Sequence, residues 1–211
     1  MLDLEAAELE WIFGVPMMRH KWVGCEPLNE LLRKAILEKE AHAPSSTRSN
    51  IGGWQSGPDI EHWIGPPSHD LVRRLIAMLN HATRKLYAHA GADEGDNVKW
   101  QIGGWANVNR GGHYNQLHIH PNSTWSAVYY VDAGDPPPAD NEYAGAITLF
   151  SPNLAMSNTF FTRVLPDRKF IRPETGLMLL FPSFLQHSVE PYLGERPRIS
   201  LAFNARKQPY P

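Results

Sequence analysis

The first ninety or so residues place their apolar positions at helical spacing. Leu28, Leu31, Leu32, Ala35 and Ile36 fall at i, i+3, i+4, i+7 and i+8, one face of a helix. Pro27 suits the first turn of that helix, where a missing N–H leaves no bond unmade. A second stripe, Leu71, Leu75, Met78, Leu79, Ala82 and Leu86, predicts a longer helix, with Ser68 as its N-cap, Asp70 in its first turn and Gly91 at its end. Between them, Ala43 to Pro67 is dominated by Pro, Ser, Gly and Asn and reads as a loop. Inside it lies an aromatic island, Asn50, Gly52, Gly53, Trp54, Gln55 and Ser56, whose glycine pair suggests a lid.

From Val98 the period changes. Short β-branched and aromatic runs alternate with Gly, Pro and Asn turns, which predicts strands at 99–109, 115–120, 124–132, 145–150, 159–164, 169–172, 176–182, 186–192 and 197–205. So many short strands at this spacing suggest a double-sheet jelly roll, that is, a double-stranded β-helix. With the helices packed outside one sheet, the fold class is α+β, mainly β. Residues 1–211 read as one domain, helical over 1–95 and jelly-roll core over 96–211.

Composition narrows the partners. The 211 residues are 42% hydrophobic and 20% charged with a net charge of -2, a balance that excludes wholesale disorder. The basic residues are scattered, so no nucleic acid is expected as partner. No apolar run reaches the roughly 18 residues of a transmembrane helix, so no membrane partner is expected either. The acidic start is unlike a signal peptide, and the single cysteine, Cys25, forms no internal disulfide; together they fit a cytoplasmic protein. Cys25 reads as an inert buried thiol, His81 and His89 as ordinary helix residues, and Trp54 and Trp125 as core in preference to pocket wall.

Three segments carry chemistry. In Asn115-Gln116-Leu117-His118-Ile119-His120-Pro121, strand parity puts His118 and His120 on one face, where two imidazoles can bind a transition metal or simply fill polar positions. The apolar run Leu177 to Pro182 ends in a turn, and His187 opens the next strand. In Arg198-Ile199-Ser200-Leu201-Ala202-Phe203-Asn204, a guanidinium sits in a core strand, which demands an anion: an internal Asp or Glu, or a ligand carboxylate gripped by Arg198 and Ser200 on one face. Together the three segments give the order of groups in a non-haem Fe(II) site that uses 2-oxoglutarate: two histidines for the metal, then a buried cation for the far carboxylate of the cosubstrate.

With these residues the chain resembles the 2-oxoglutarate/Fe(II)-dependent dioxygenase superfamily. Tyr114 to Asn204 is similar to prolyl-4-hydroxylase-type domains. More of the chain resembles a bacterial and phage family of 2-oxoglutarate-Fe(II) oxygenases, through Ile12 to Pro16, Ser49 to Ser56, Trp105 to Val108, His118 to Pro121, Ser126 to Val131, His187 and Arg198 to Ser200. The resemblance implies a jelly roll, with His118 and His187 as iron ligands and Arg198 and Ser200 on the distal carboxylate of 2-oxoglutarate. It implies Tyr130 reaching that same carboxylate, and Asn107 toward the metal-chelating end. It also implies O2 as oxidant, ascorbate as a possible aid, and hydroxylation of a small-molecule or peptide substrate with release of succinate and CO2.

His120 departs from the family pattern, which has Asp or Glu there. Three arrangements are open: it ligates, giving three histidines; it turns away and leaves water or halide; or the site is inactive. Two rival functions stay beside the oxygenase, a three-histidine cupin-type metalloenzyme without 2-oxoglutarate and a non-catalytic jelly-roll binding module. A homodimer is the expected assembly.

Overall fold

The computed structural model describes residues 14–92, 98–153 and 166–208; the strand expected at 159–164 lies outside them. The chain runs β1 (Met18–Lys21), α1 (Glu26–His42), β2 (Asn50–Ile51), β3 (Trp54–Gln55), α2 (Ile60–Ile64), α3 (Pro66–His89), β4 (Trp100–Asn109), β5 (Tyr114–His118), β6 (Trp125–Asp132), β7 (Ile147–Phe150), β8 (Arg168–Ile171), β9 (Leu177–Pro182), β10 (His187–Val189) and β11 (Arg198–Lys207). Among the described residues no helix is long and apolar enough to cross a membrane.

Pro27 lies in the first turn of α1, and the helix stops at Ala43, which is extended because Pro44 follows. The α3 stripe is buried from Leu71 to Ala82, and the chain leaves the helix through Gly91 at φ +66. Four details differ from the sequence reading. Leu31 and Leu86 are exposed at their helix surfaces. The helix α3 opens at Pro66, with Gly65 as its N-cap; Ser68 lies inside and its hydroxyl donates to the Gly65 carbonyl at 2.7 Å. The supposed loop from Ala43 to Pro67 contains β2, β3, α2 and the start of α3. Finally, Met18–Lys21 forms an edge strand, although Arg19, His20 and Lys21 are exposed and show no alternation.

Two antiparallel sheets result: a major sheet ordered β1-β9-β6-β11-β4-β3 and a minor sheet ordered β2-β5-β10-β7-β8. Period-2 alternation gives the major sheet two different faces. Ile199, Leu201, Phe203 and Ala205 of β11, with Ala106 and Val108 of β4 and Ala127 and Tyr129 of β6, join Leu32, Ile36, Leu71 and Leu75 in a core between sheet and helices. Close approach there requires Gly104: a Cβ on it would stand 2.7 Å from the Phe203 ring and 2.8 Å from Ile60. The Tyr129 hydroxyl donates to the α1 residue Asn29 at 2.7 Å, which ties the helix to the sheet.

The opposite face looks across to the minor sheet. Leu177, Leu179 and Phe181 of β9 pack with Ile147, Leu149 and Ile171 in a second, smaller core. The apolar residues that frame Arg198 in sequence therefore pack on the helices, while Arg198 itself points between the sheets. That inner space holds the polar residues of the next section.

Candidate metal and anion site

His118 closes β5, His187 opens β10, and the two are directly paired across the ladder. Their ring centroids lie 4.2 Å apart. His120 lies two residues beyond the end of β5, so its position does not come from strand parity as the sequence reading had it. Its backbone N–H donates to the Ser183 carbonyl at 3.0 Å instead, and its ring stands 4.9 Å from that of His118 and 5.1 Å from that of His187. One ligand nitrogen from each ring falls within 4.8 Å of the other two.

Tautomers follow from the backbone. The Nδ1–H of His118 donates to the Gln116 carbonyl at 2.7 Å, and that of His187 to the Leu185 carbonyl at 2.8 Å. Both Nε2 lone pairs are left for the centre, the usual support of a metal-binding histidine. Burial disfavours the imidazolium: it lowers His118, brings His120 down to about 4 and His187 to about 3, and the neighbouring rings add to the last two. Three neutral, convergent nitrogen donors fit a divalent transition metal. Ser49 Oγ lies 3.5 Å from His118 Nε2 and accepts from Asn115 Nδ2 at 3.3 Å.

A cavity of about 60 Å³ joins this cluster to Arg198. Arg198 is 2% exposed, and among the described residues no carboxylate pairs with it. Its guanidinium carbon stands 5.1 Å from the centroid of the Tyr130 ring. Ser200 faces Asn107 on one neighbouring strand and Tyr130 on the other, so the three form a polar row across the major sheet. Arg198 Nε, Tyr130 OH and Asn107 Oδ1 are all buried without a hydrogen-bond partner among the described residues. Burial lowers the guanidinium and raises the phenol, each partly offset by the other. Two of these orphaned atoms, the guanidinium N–H of Arg198 and the Tyr130 hydroxyl, are donors that meet in a closed space, which fits an anion carrying acceptor oxygens.

The cavity is thus lined by every residue singled out in the sequence: Asn107, His118, His120, Tyr130, His187, Arg198 and Ser200. Several others were missed. Ser49 and Trp105 line both this cavity and an outer cleft of about 580 Å³, which lies between the 46–58 segment and the end of β5. Trp105 touches the His120 ring edge-on at 5.4 Å between centroids. Its position two residues before Asn107 on one strand was the available signal. His113 lines neither space; its Nδ1 accepts from the Arg110 N–H at 3.0 Å and its ring packs on Gly52. Trp54 and Trp125 are both core.

Comparison with known proteins agrees with this geometry. A family profile described as "Putative 2OG-Fe(II) oxygenase" matches residues 103–204. No curated protein matches the chain. Among solved structures, a Pseudomonas putida prolyl-4-hydroxylase superposes with a TM-score of 0.61 at 13% identity, over 92% of this chain and 94% of that one. HygX from Streptomyces hygroscopicus, solved with nickel and 2-oxoglutarate bound, gives 0.61 at 14% identity, over 92% and 84%. The viral collagen prolyl hydroxylase of Paramecium Bursaria Chlorella virus-1, in a 2OG complex, gives 0.53 at 14%, over 91% and 96%. At such identities these structures speak for the jelly-roll fold alone; the family profile adds a similarity to 2OG-Fe(II) oxygenases over residues 103–204, the stretch that contains all seven cavity residues named above.

Proposed function

We propose that this protein is an Fe(II)- and 2-oxoglutarate-dependent oxygenase that hydroxylates a small-molecule or peptide substrate in the cytoplasm. The observation that carries the reading is Arg198, a guanidinium 2% exposed with no carboxylate partner among the described residues, in the same small cavity as three convergent imidazoles. A cation so placed is costly until an anion enters. His118, His120 and His187 would hold the metal, and Arg198, Ser200 and Tyr130 the distal carboxylate of 2-oxoglutarate, with Asn107 toward its chelating end. When bound, the pair together with O2 would supply oxidation of a C–H bond, one oxygen atom going to the substrate and the other to succinate, with release of CO2.

The chain's own groups do the rest. The Gln116 and Leu185 carbonyls hold two imidazoles in one tautomer, and the low affinity of all three rings for protons keeps their lone pairs available at neutral pH. Phe181, packed edge-on against the His187 ring at 5.0 Å, keeps water from that side. The single cysteine, which is buried, supports a reducing compartment.

The test is anaerobic titration of the Fe(II)-loaded protein with 2-oxoglutarate, followed by the visible metal-to-ligand charge-transfer absorption. A saturable band is expected, along with succinate release on admitting O2 and ascorbate. Metal uptake without a band would refute the cosubstrate and favour the three-histidine cupin chemistry. Failure to take up Fe(II), Mn(II) or Ni(II) would leave only a binding module.

A further inference from the structure

The outer cleft contains a second set of groups that the metal and cosubstrate do not occupy. Gln55 ends β3, where it pairs with Asn107 of β4 and so extends the row Asn107–Ser200–Tyr130 outward by one strand. The residue is 6% exposed, it lines the cleft, and among the described residues no hydrogen bond reaches its side-chain amide. The carboxamide is therefore the part of this buried residue that opens onto the cleft, where water or a ligand satisfies it. It can donate and accept at once, and its natural complement is a group that does the same.

Charge gives a second, independent constraint. Arg48 stands exposed at the cleft wall, and among the described residues only its backbone N–H is engaged, with Asn50 Oδ1 at 2.8 Å. Among the described residues no Asp or Glu lines the cleft. The histidine cluster below contributes three neutral donors where a carboxylate would have contributed a negative charge. With 2-oxoglutarate bound its two carboxylates offset the metal's charge, which leaves Arg48 as the group that draws an anion to the cleft. Trp105, half-buried, and Pro58 supply an apolar surface beside these groups.

Resting on the oxygenase reading above, we propose that the prime substrate is an anion that also carries an amide, with Gln55 hydrogen-bonded to the amide, Arg48 facing the anionic group and Trp105 under the apolar body. Gln55 is thereby the specificity-determining residue of the cleft. A hydrogen-bonding site of this kind rejects an analogue that lacks the matching donor, because its own polar group is left buried and unpaired.

Three probes that differ in one feature each test this: N-acetyl-L-phenylalanine, its methyl ester, which lacks the charge, and O-acetyl-L-phenyllactate, which lacks the amide N–H. Each is titrated by calorimetry into the anaerobic Fe(II)·2-oxoglutarate protein. The first is expected to bind about tenfold or more tighter than either analogue, as loss of one hydrogen bond or one charge contact implies. In Gln55→Leu the preference for amide over ester linkage disappears while the preference for the anion stays; in Arg48→Gln the reverse holds. Equal binding of the three probes, binding of none, or unchanged preferences in both variants would each overturn the assignment. The charge-transfer band of the wild-type protein, recorded first, separates this outcome from failure of the oxygenase reading: a band with no probe discrimination sinks only the inference, and no band sinks the reading beneath it.

Discussion

Replacing Arg198 with methionine is expected to make the ligand-free protein no less stable and at the same time to abolish its grip on 2-oxoglutarate. The side chain is 2% exposed, its Nε is unpaired, and no described carboxylate neutralises it. Its favourable contact is the Tyr130 ring, 5.1 Å from the guanidinium carbon, and a desolvated cation–π pair gives back up to about 2 kcal/mol. Exchanging buried charged groups for apolar residues of similar volume is neutral or stabilising by about 1–4 kcal/mol. The balance is a variant between unchanged and roughly 2 kcal/mol more stable when apo. With 2-oxoglutarate present the sign reverses. Removing one member of a buried charge pair costs about 3–5 kcal/mol, equivalent to roughly 10²–10⁴ in dissociation constant. At a hundred times its dissociation constant, cosubstrate should stabilise the wild-type protein by about 2.7 kcal/mol and the variant hardly at all. Urea denaturation of the metal-loaded protein, with and without 2-oxoglutarate, measures both quantities. A variant that is less stable when apo yet still stabilised by 2-oxoglutarate would show that Arg198 is a structural residue and that the anion reading is wrong.

Three further outcomes follow from the same geometry. Tyr130→Phe removes an orphaned buried hydroxyl and should leave apo stability unchanged or higher, while weakening 2-oxoglutarate about tenfold in the anaerobic titration. For the metal-free protein, His120 and His187 titrate near 4 and 3 when folded, against about 6.5 unfolded, so between those limits the unfolded chain binds more protons. Stability should therefore fall as pH drops below about 6.5, by up to about 1.4 kcal/mol per unit for each such histidine. Urea midpoints from pH 7.5 to 5.5 read this, and His187→Gln should flatten the slope; a slope unaffected by that change contradicts the burial argument. Gly104→Ala drives a methyl group into Phe203 and Ile60 and should cost about 1–3 kcal/mol in the same denaturation assay, with metal uptake retained.

Where residues in sequence obeyed one period, the fold could be read before any coordinates. Ala106 and Val108, or Ile199, Leu201 and Phe203, alternate with polar partners, and the strands bearing them lie within a few residues of where the alternation puts them. Arg198 was legible because a charge in an apolar strand is an energetic anomaly, and His187 because it follows a wholly buried strand. What escaped was set by contacts distant in sequence. Met18–Lys21 is a strand because β9 pairs with it, and its exposed Arg19, His20 and Lys21 carry no pattern. β2 and β3 are two residues each, too short for any period. Gln55 shows its importance only through facing the cleft at the end of a polar row, which a sequence does not display; its nearest signal was a glutamine beside a buried tryptophan. His120 reached the cluster by a backbone bond to Ser183, not by the strand geometry invoked for it.

The two faces of the major sheet bear separate responsibilities. Helices α1 and α3 press a continuous greasy layer onto one side, so the scaffold's endurance is secured there, away from the reacting centre. The other side is thereby released from the duty of holding the fold together and can carry lone charges and unsatisfied amides that a solitary core would not tolerate. Variation in the inward residues of β3, β4, β6 and β11 can then redirect what the protein acts upon while the architecture survives, a freedom that suits one framework to many chemistries.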